Sequence, residues 1–176
     1  MDVPAPEGLH LRPCCPADEA AVLALLPELA AFPLPPQRAP EPLWHSDAAL
    51  AQAVLQGGAP ASFLDVLVSD AHAAVVGLVL VTLRPELLSK APSAHLEALV
   101  VHPDHRRQGL GAWLLDHCEA RVRALGARSL TLHVFDRNER AKALYLRQGY
   151  DLELIRAVKW LEPPPDEGPA QTGGEQ

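Results

Sequence analysis

An apolar strand, a basic glycine-rich turn and an amphipathic helix follow one another between positions 96 and 125. The strand covers Leu96–Val101, the turn reads His-Arg-Arg-Gln-Gly-Leu-Gly-Ala over His105–Ala112, and the helix begins near Gly109. Along the helix the apolar residues recur at the spacing of one buried stripe: Leu110, Leu114, Cys118, Val122 and Leu125. This order predicts an α/β protein in which the turn lies at a helix N-terminus.

The turn has the properties of an anion site. The first N–H groups of a helix have no intrahelical partner, and the helix dipole adds positive potential there. Gly109 and Gly111 have no Cβ, so the main chain can approach phosphate oxygens closely. Arg106 and Arg107 can add charge-assisted hydrogen bonds. The segment therefore predicts a pyrophosphate site, although a tight connection with solvated arginines would also fit it.

Two common phosphate motifs are excluded by the spacing Arg106-x-x-Gly109-x-Gly111. No Gly-Lys-Ser/Thr follows the turn, as a P-loop requires, and the three-glycine dinucleotide fingerprint with its downstream acid is missing. The spacing instead resembles the acyl-CoA pyrophosphate turn of the GNAT superfamily, the coenzyme A-dependent N-acyltransferases. A second signature of that family is resembled downstream, in the family's order, by Asn138-x-x-Ala141-x-x-Leu144-Tyr145-x-x-x-Gly149-Tyr150.

The resemblance covers Leu9 to Leu161, so we expect an N-acetyltransferase domain at 9–161, an N-terminal tail at 1–8 and a disordered C-terminal tail at 162–176. The order of elements predicts a mixed, mostly antiparallel sheet of six to seven strands with helices on both faces, an α/β fold that some schemes class as α+β. Besides the strand at Leu96–Val101, strands are expected at Leu9–Arg12, Ser62–Ser69, Ala74–Arg84, Leu130–Phe135 and Tyr150–Trp160. Helices are expected from Pro16 with a break at Pro27, at Ser46–Gln56, from Gly109 and at Glu139–Gln148.

Charge and composition narrow the function classes. The net charge of −7 argues against a nucleic-acid partner, and no apolar run approaches membrane-spanning length. We therefore expect a cytoplasmic protein. Three cysteines without metal-type spacing predict neither a disulfide framework nor a metal site.

The resemblance implies acetyl-CoA as co-substrate and assigns residues to its binding. In the family, the strand before the turn parts from its neighbour and leaves backbone amides free for the acyl oxygen and the pantetheine, which here means Leu99, Val100 and Val101. The pyrophosphate would lie on Arg106, Arg107, Gln108, Gly109, Leu110, Gly111 and Ala112. Asn138 would hold the pantetheine or cap the next helix, and the cap is the simpler interpretation.

By the same resemblance, Tyr145 is the acid that protonates the departing thiolate, because a phenol is mostly protonated at neutral pH. Packing between helix and sheet is the alternative role for this ring. Glu97 is the first candidate for the base, since an acid inside an apolar strand is costly to bury without purpose. His133, on the next strand, is the second candidate. His95 is the third, expected on the same strand face as Glu97, Leu99 and Val101 unless a bulge intervenes. A water chain to solvent could replace them all.

The expected reaction is direct attack of a primary amine on acetyl-CoA in a ternary complex. The acidic balance slightly favours a small cationic amine over a protein amino group as acceptor. Two other classes stay open: a catalytically inactive CoA-binding regulatory module, and a phosphate-binding protein that uses the same turn for another ligand. Because family members are often dimers, a homodimer is one expected assembly.

Overall fold

One five-stranded sheet forms the centre of the protein in the computed structural model, which describes residues 6–161. Its strands follow chain order across the sheet: β1 (Leu9–Pro13), β2 (Ser62–Ser69), β3 (Ala74–Pro85), β4 (Pro92–Val101) and β5 (Leu130–Leu132). Neighbouring strands are antiparallel except β4 and β5, which are parallel. The predicted mixed, mostly antiparallel α/β architecture is confirmed, and β2 and β3 form a hairpin.

The α-helices of residues 6–161 are α1 (Glu19–Leu25), α2 (His45–Leu55), α3 (Leu110–Ala124) and α4 (Glu139–Arg147). Short 3₁₀ helices cover Pro16–Asp18, Leu26–Ala30, Glu41–Leu43 and Pro103–His105. The predicted break at Pro27 is confirmed: α1 ends at Leu25, and Pro27 lies in the first turn of the next 3₁₀ helix, where its missing N–H costs nothing.

An apolar cluster lies on each face of the sheet. Because side chains alternate along a strand, β2, β3 and β4 contribute residues to both clusters. The first cluster packs under α3 and includes Leu67, Val79, Val81, Leu96, Leu114 and Cys118. The second packs under α1 and α2 and includes Val22, Leu25, Ala51, Val66, Leu80 and Val100. One face of β4 therefore packs towards α3 and the other towards α1 and α2.

The sheet has fewer strands than the predicted six to seven, and the difference arises at one edge. β5 ends at Leu132 instead of Phe135, and 151–161 forms no strand although Tyr150–Trp160 was predicted to. A segment forms a strand only where a neighbouring strand is available for main-chain hydrogen bonds. The neighbour available to 151–161 would be β5, which has only three paired residues. The apolar side chains of this segment are consequently exposed, Ile155 by 97%.

The domain limits expected from the sequence fall partly beyond this description. The expected C-terminal tail, 162–176, and residues 1–5 of the expected N-terminal tail lie outside the described residues. In 6–161, no helix is long and apolar enough to cross a membrane.

Candidate active site

β5 pairs with β4 only over the first half of β4. The parallel register joins Ala94, His95 and Leu96 to Leu130, Thr131 and Leu132, whereas β4 continues to Val101 without a partner on that side. The N–H of His102 donates to the Val76 carbonyl of β3 at 2.8 Å. Since alternate residues of a strand direct their amides the same way, the N–H of Val100 also faces β3. The N–H groups of Leu99 and Val101 face the open side. Of the three predicted amides, Val100 is therefore not free.

A β-bulge at Glu97 changes the side-chain parity of β4. Leu80 and Val81 of β3 face Ala98 and Leu96 respectively, so Glu97 is an extra residue between them. In consequence His95 lies on the face of Ala98 and Val100, towards α1 and α2, while Leu99 and Val101 look towards α3. The expectation that His95 shares a face with Leu99 and Val101 is wrong, because the bulge reverses the alternation between them.

The basic glycine-rich turn leads into α3 as predicted. Arg107 and Gly109 have left-handed backbone angles, with φ of 62° and 77°, and α3 begins at Leu110. A Cβ on Gly111 would lie 3.2 Å from Cδ2 of Leu144, so the missing side chain allows α4 to approach the first turn of α3. This helix N-terminus, with its unpaired amides, fits the diphosphate of a CoA thioester.

The side chains of the turn take different directions. Arg107, Gln108 and Gly109 are exposed, whereas Leu110 is buried and can offer only its main chain. Arg106 turns inward: its Nε donates to the Val101 carbonyl at 3.0 Å, and its guanidinium pairs with the Glu28 carboxylate at 2.5 Å. The sequence did not indicate this contact. The side-chain Nε2 of Gln148 donates to the Ala112 carbonyl at 3.4 Å, and this hydrogen bond links α3 to the end of α4.

The three candidate bases lie together on the α1 and α2 side of β4. The rings of His95 and His133 have centroids 4.6 Å apart. The Glu97 carboxylate lies 4.0 Å from Nε2 of His95 and 3.9 Å from the guanidinium of Arg84, and it is about one-fifth exposed. This cluster combines an accessible carboxylate with two imidazoles, which is an arrangement that can accept and pass a proton.

His95 is held by a hydrogen bond at one ring nitrogen. Its Nδ1 lies 2.7 Å from the Thr131 hydroxyl, which is also 3.2 Å from the Ala94 carbonyl. The other ring nitrogen, Nε2, faces Glu97. Burial first, and then the charges of Arg84 and His133, lower the pKa of His95 to about 4. His95 is therefore neutral at pH 7 and a weak base.

Tyr145 lies on the opposite side of β4 from these groups. It packs on α4 against the cluster under α3, with its ring 5.7 Å from that of Tyr150. Burial, with a smaller effect of Cys118, raises its pKa to about 12. The phenol is thus a proton donor at neutral pH. Asn138 caps α4, accepting from the N–H of Ala141 at 3.1 Å, which confirms its predicted capping role.

Two residues that the sequence analysis did not single out lie near these groups. Asp47 is half-buried in the first turn of α2; burial, and then the charge of Glu97, raise its pKa to about 6. Arg140, in the first turn of α4, makes no ion pair within 6–161, and burial followed by the charge of Arg106 lowers its pKa. Neither residue stands out in the sequence, because only the folded chain brings Asp47 near β4 and Arg140 near the turn.

Comparisons with known proteins agree with this geometry. The model of the Acetyltransferase (GNAT) family matches residues 25–150. An uncharacterized N-acetyltransferase of Bacillus subtilis, YdgE, is 45% identical over 56 residues, which are 32% of this chain and 36% of that protein, so the match spans about a third of its length.

Two solved structures share the fold at low sequence identity. A GCN5-related N-acetyltransferase from Ralstonia eutropha has a TM-score of 0.67 at 20% identity, covering 87% of this chain and 99% of its own. AAC(6')-Iy, bound to the bisubstrate analogue CoA-S-monomethyl-acetylneamine, has a TM-score of 0.63 at 18% identity, covering 88% and 98%.

Proposed function

The chain belongs to the acetyltransferase (GNAT) family, and we propose that it transfers an acetyl group from acetyl-CoA to a primary amine by direct attack in a ternary complex. One observation carries the proposal: the pairing of β4 with β5 ends at Leu96, and the half of β4 that has no partner on that side leads through the glycine-rich turn into α3. The unpaired amides of β4 can donate to a thioester carbonyl, and the amides of the turn that follows can donate to a diphosphate. We assign the catalytic domain to 9–161.

The co-substrate would be held mainly by main-chain groups. The amides between Arg107 and Ala112 face the diphosphate at the mouth of α3, and Arg107 supplies a positive charge from the surface. Arg140 adds a second cation from α4. The N–H groups of Leu99 and Val101 are available to the pantetheine and the acyl oxygen. Acetyl-CoA supplies the thioester, and donors aimed at its oxygen stabilise the negative charge that develops there.

Glu97 would accept the proton of the attacking amine. Its carboxylate lies on the α1 and α2 side of β4, and the nearby Asp47 adds a second negative charge that favours a cationic acceptor there. His133 is the second candidate. His95 would serve to orient its neighbours, because an imidazole with a pKa of about 4 accepts protons poorly at pH 7.

Tyr145 would protonate the thiolate that leaves. Tyr145 lies on the α3 side of β4, whereas the candidate bases lie on the other side. The thiolate would therefore be protonated on one face of the strand and the amine deprotonated on the other. The bisubstrate analogue in AAC(6')-Iy joins CoA to acetylneamine, which gives a solved relative of this fold holding both substrates at once. For this chain we propose a small cationic amine as acceptor.

A panel of amines with acetyl-CoA tests the proposal, with free-thiol release as the readout. The panel should include mono- and polyamines, amino acids, aminoglycosides and peptides with free N-termini or lysines. We expect amine-dependent release that is strongest with small cationic amines. If CoA binds but no amine supports release, the chain is a CoA-binding regulatory module and the proposed reaction is wrong.

A further inference from the structure

An ion pair joins the turn before α3 to the 3₁₀ helix after α1. Glu28 and Arg106 are 78 positions apart, and their carboxylate and guanidinium lie 2.5 Å apart, with less than a third of either side chain exposed. The same guanidinium group donates through Nε to the Val101 carbonyl at 3.0 Å. Arg106 therefore contacts both the last residue of β4 and the segment that packs on β4.

The segment that contains Glu28 connects the two strands that part. Its 3₁₀ helix, Leu26–Ala30, packs on β4, and it is followed closely by Phe32, whose ring lies 5.3 Å from that of Phe135. Phe135 comes three residues after the end of β5. The stretch from Glu28 to Phe32 is thus fixed at one end to β4 and at the other to the continuation of β5, across the opening between them.

Arg106 differs in this respect from the other cations near the turn. Its charge is balanced by Glu28, and two of its donor groups are already used. Arg107 is exposed. Arg140 makes no ion pair within 6–161, and the charge of Glu28 acts on it less than that of Arg106 does, so these two arginines are better placed to meet an anion. The sequence motif predicts that Arg106 binds the diphosphate, but in the structure its side chain binds Glu28 and the Val101 carbonyl instead.

We propose that Glu28 and Arg106 form a positioning pair, which contacts neither substrate but holds the 28–32 stretch against the end of β4. This inference rests on the proposed acetyl transfer. The pair fixes the position of the 28–32 stretch, which would contact the amine, relative to the N–H groups of Leu99 and Val101. Loss of the pair misplaces the amine relative to the thioester, which reduces turnover and amine affinity more than CoA affinity.

The test compares Glu28→Gln, Arg106→Gln and the double variant with Arg107→Gln, which removes a charge from the same turn without touching the pair. Turnover constants come from thiol release, CoA affinity from calorimetry, and local order from hydrogen exchange of peptides covering 26–32. We expect each single variant to lower kcat/KM for the amine about tenfold, and the double variant to add little, because the two residues act as one unit.

The other readouts separate positioning from phosphate binding. CoA affinity should stay within about threefold of wild type in Glu28→Gln and Arg106→Gln, and exchange of 26–32 should speed up in both. Arg107→Gln should weaken CoA binding and leave that exchange unchanged. The proposal is overturned if Arg106→Gln weakens CoA binding as Arg107→Gln does while Glu28→Gln strengthens it, since Arg106 is then a diphosphate ligand that Glu28 restrains.

Failure of the proposed function has a different signature. In that event the wild-type protein releases no thiol with any amine, while the exchange of 26–32 still reports whether Glu28 and Arg106 hold the segment together. Unchanged exchange in both variants overturns the positioning pair whatever the activity.

Discussion

The imidazole rings of His95 and His133 lie with centroids 4.6 Å apart, one carried by β4 and the other by the residue directly after β5. The contact forms where the two strands are about to part, and Glu97 lies beside it because the bulge in β4 turns that carboxylate towards α1 and α2. Three groups that can take up a proton are thereby collected on the side of the sheet where the acceptor would enter.

Glu97→Gln tests which of them is the base. The change keeps the size of the side chain but removes its ability to accept a proton, so we expect kcat to fall about a hundredfold with CoA affinity unchanged. His133→Asn and His95→Asn should have smaller effects. Glu86→Gln, on the loop after β3, is the matched control: it weakens the hydrogen bonds that this carboxylate accepts from the N–H groups of Leu88 and Ser89, and it should leave kcat unchanged. Full activity of Glu97→Gln would assign the proton to His133 or to a water chain.

Asp47 predicts a pH dependence. Its pKa of about 6, raised by burial and by Glu97, means that the carboxylate is charged above that pH and neutral below it. Arg84, His95 and His133 are the other charged or titratable groups at Glu97, and the pKa of His95 is too low to titrate in this range. We expect kcat/KM for a cationic amine to fall as the pH drops through about 6.

The profile of Asp47→Asn identifies the group responsible. That variant should lack the acidic limb, whereas Glu41→Gln, an exposed carboxylate on the 3₁₀ helix just before α2, should retain it. An acidic limb that persists in Asp47→Asn would show that another group controls the rate.

Tyr145→Phe tests the acid. Because the phenol is a protonated donor with a pKa of about 12, its removal should reduce turnover roughly a hundredfold and leave CoA affinity within twofold. Tyr150→Phe is the control, because it removes a second phenol hydroxyl from the same apolar cluster under α3 and should leave turnover near that of the wild type. Equal turnover of the two variants would leave Tyr145 only a packing role.

The turn can be tested through its backbone. Gly109 has a φ of 77°, and Gly126, at the other end of α3, has a φ of 89°; a Cβ at either position would have open space. Alanine at each position should therefore strain the backbone by a similar amount, about 1 kcal/mol. Calorimetry should show CoA affinity reduced about tenfold only in Gly109→Ala. Equal affinities would separate CoA binding from this turn.

Asp65 should control acid stability. Burial alone would raise its pKa, but hydrogen bonds from His117, at 3.1 Å, and from Arg121 outweigh burial and lower it. The folded protein therefore keeps Asp65 ionised where the unfolded chain, with a pKa near 3.9, takes up a proton. The stabilisation is complete above about pH 4 and is lost as the pH falls further.

Denaturant unfolding of Asp65→Asn at pH 7 should show a loss on the order of 3 kcal/mol, because one member of a buried ion-pair network is removed. The deficit relative to wild type should shrink below pH 4. Asp70→Asn, which removes the partner of exposed His10, should cost less than about 1 kcal/mol. A deficit that does not depend on pH would rule out the linkage.

The sequence anticipated those features that depend on neighbouring residues. Pro27 ends α1, Gly109 precedes α3, and Asn138 caps α4, because each depends on backbone chemistry within a few positions. The bulge at Glu97 depends on the register with Leu80 and Val81, which no local pattern contains.

The contacts that the sequence missed join distant segments. Glu28 lies 78 positions from Arg106, and Asp47 approaches Glu97 only after α2 has packed on the sheet. The order of elements predicted a last strand at Tyr150–Trp160, but a strand also needs a free edge of matching length, and β5 does not provide one.

Main-chain donors on β4 and at the N-terminus of α3 should hold CoA. Titration of CoA into ¹⁵N-labelled protein, followed by amide chemical shifts, measures this for each residue. We expect saturable shifts at Leu99, Val101 and 107–112, with little change at Val100, whose amide faces β3. Binding that leaves those amides unmoved, or that shifts residues on β1 and β2 instead, would contradict it.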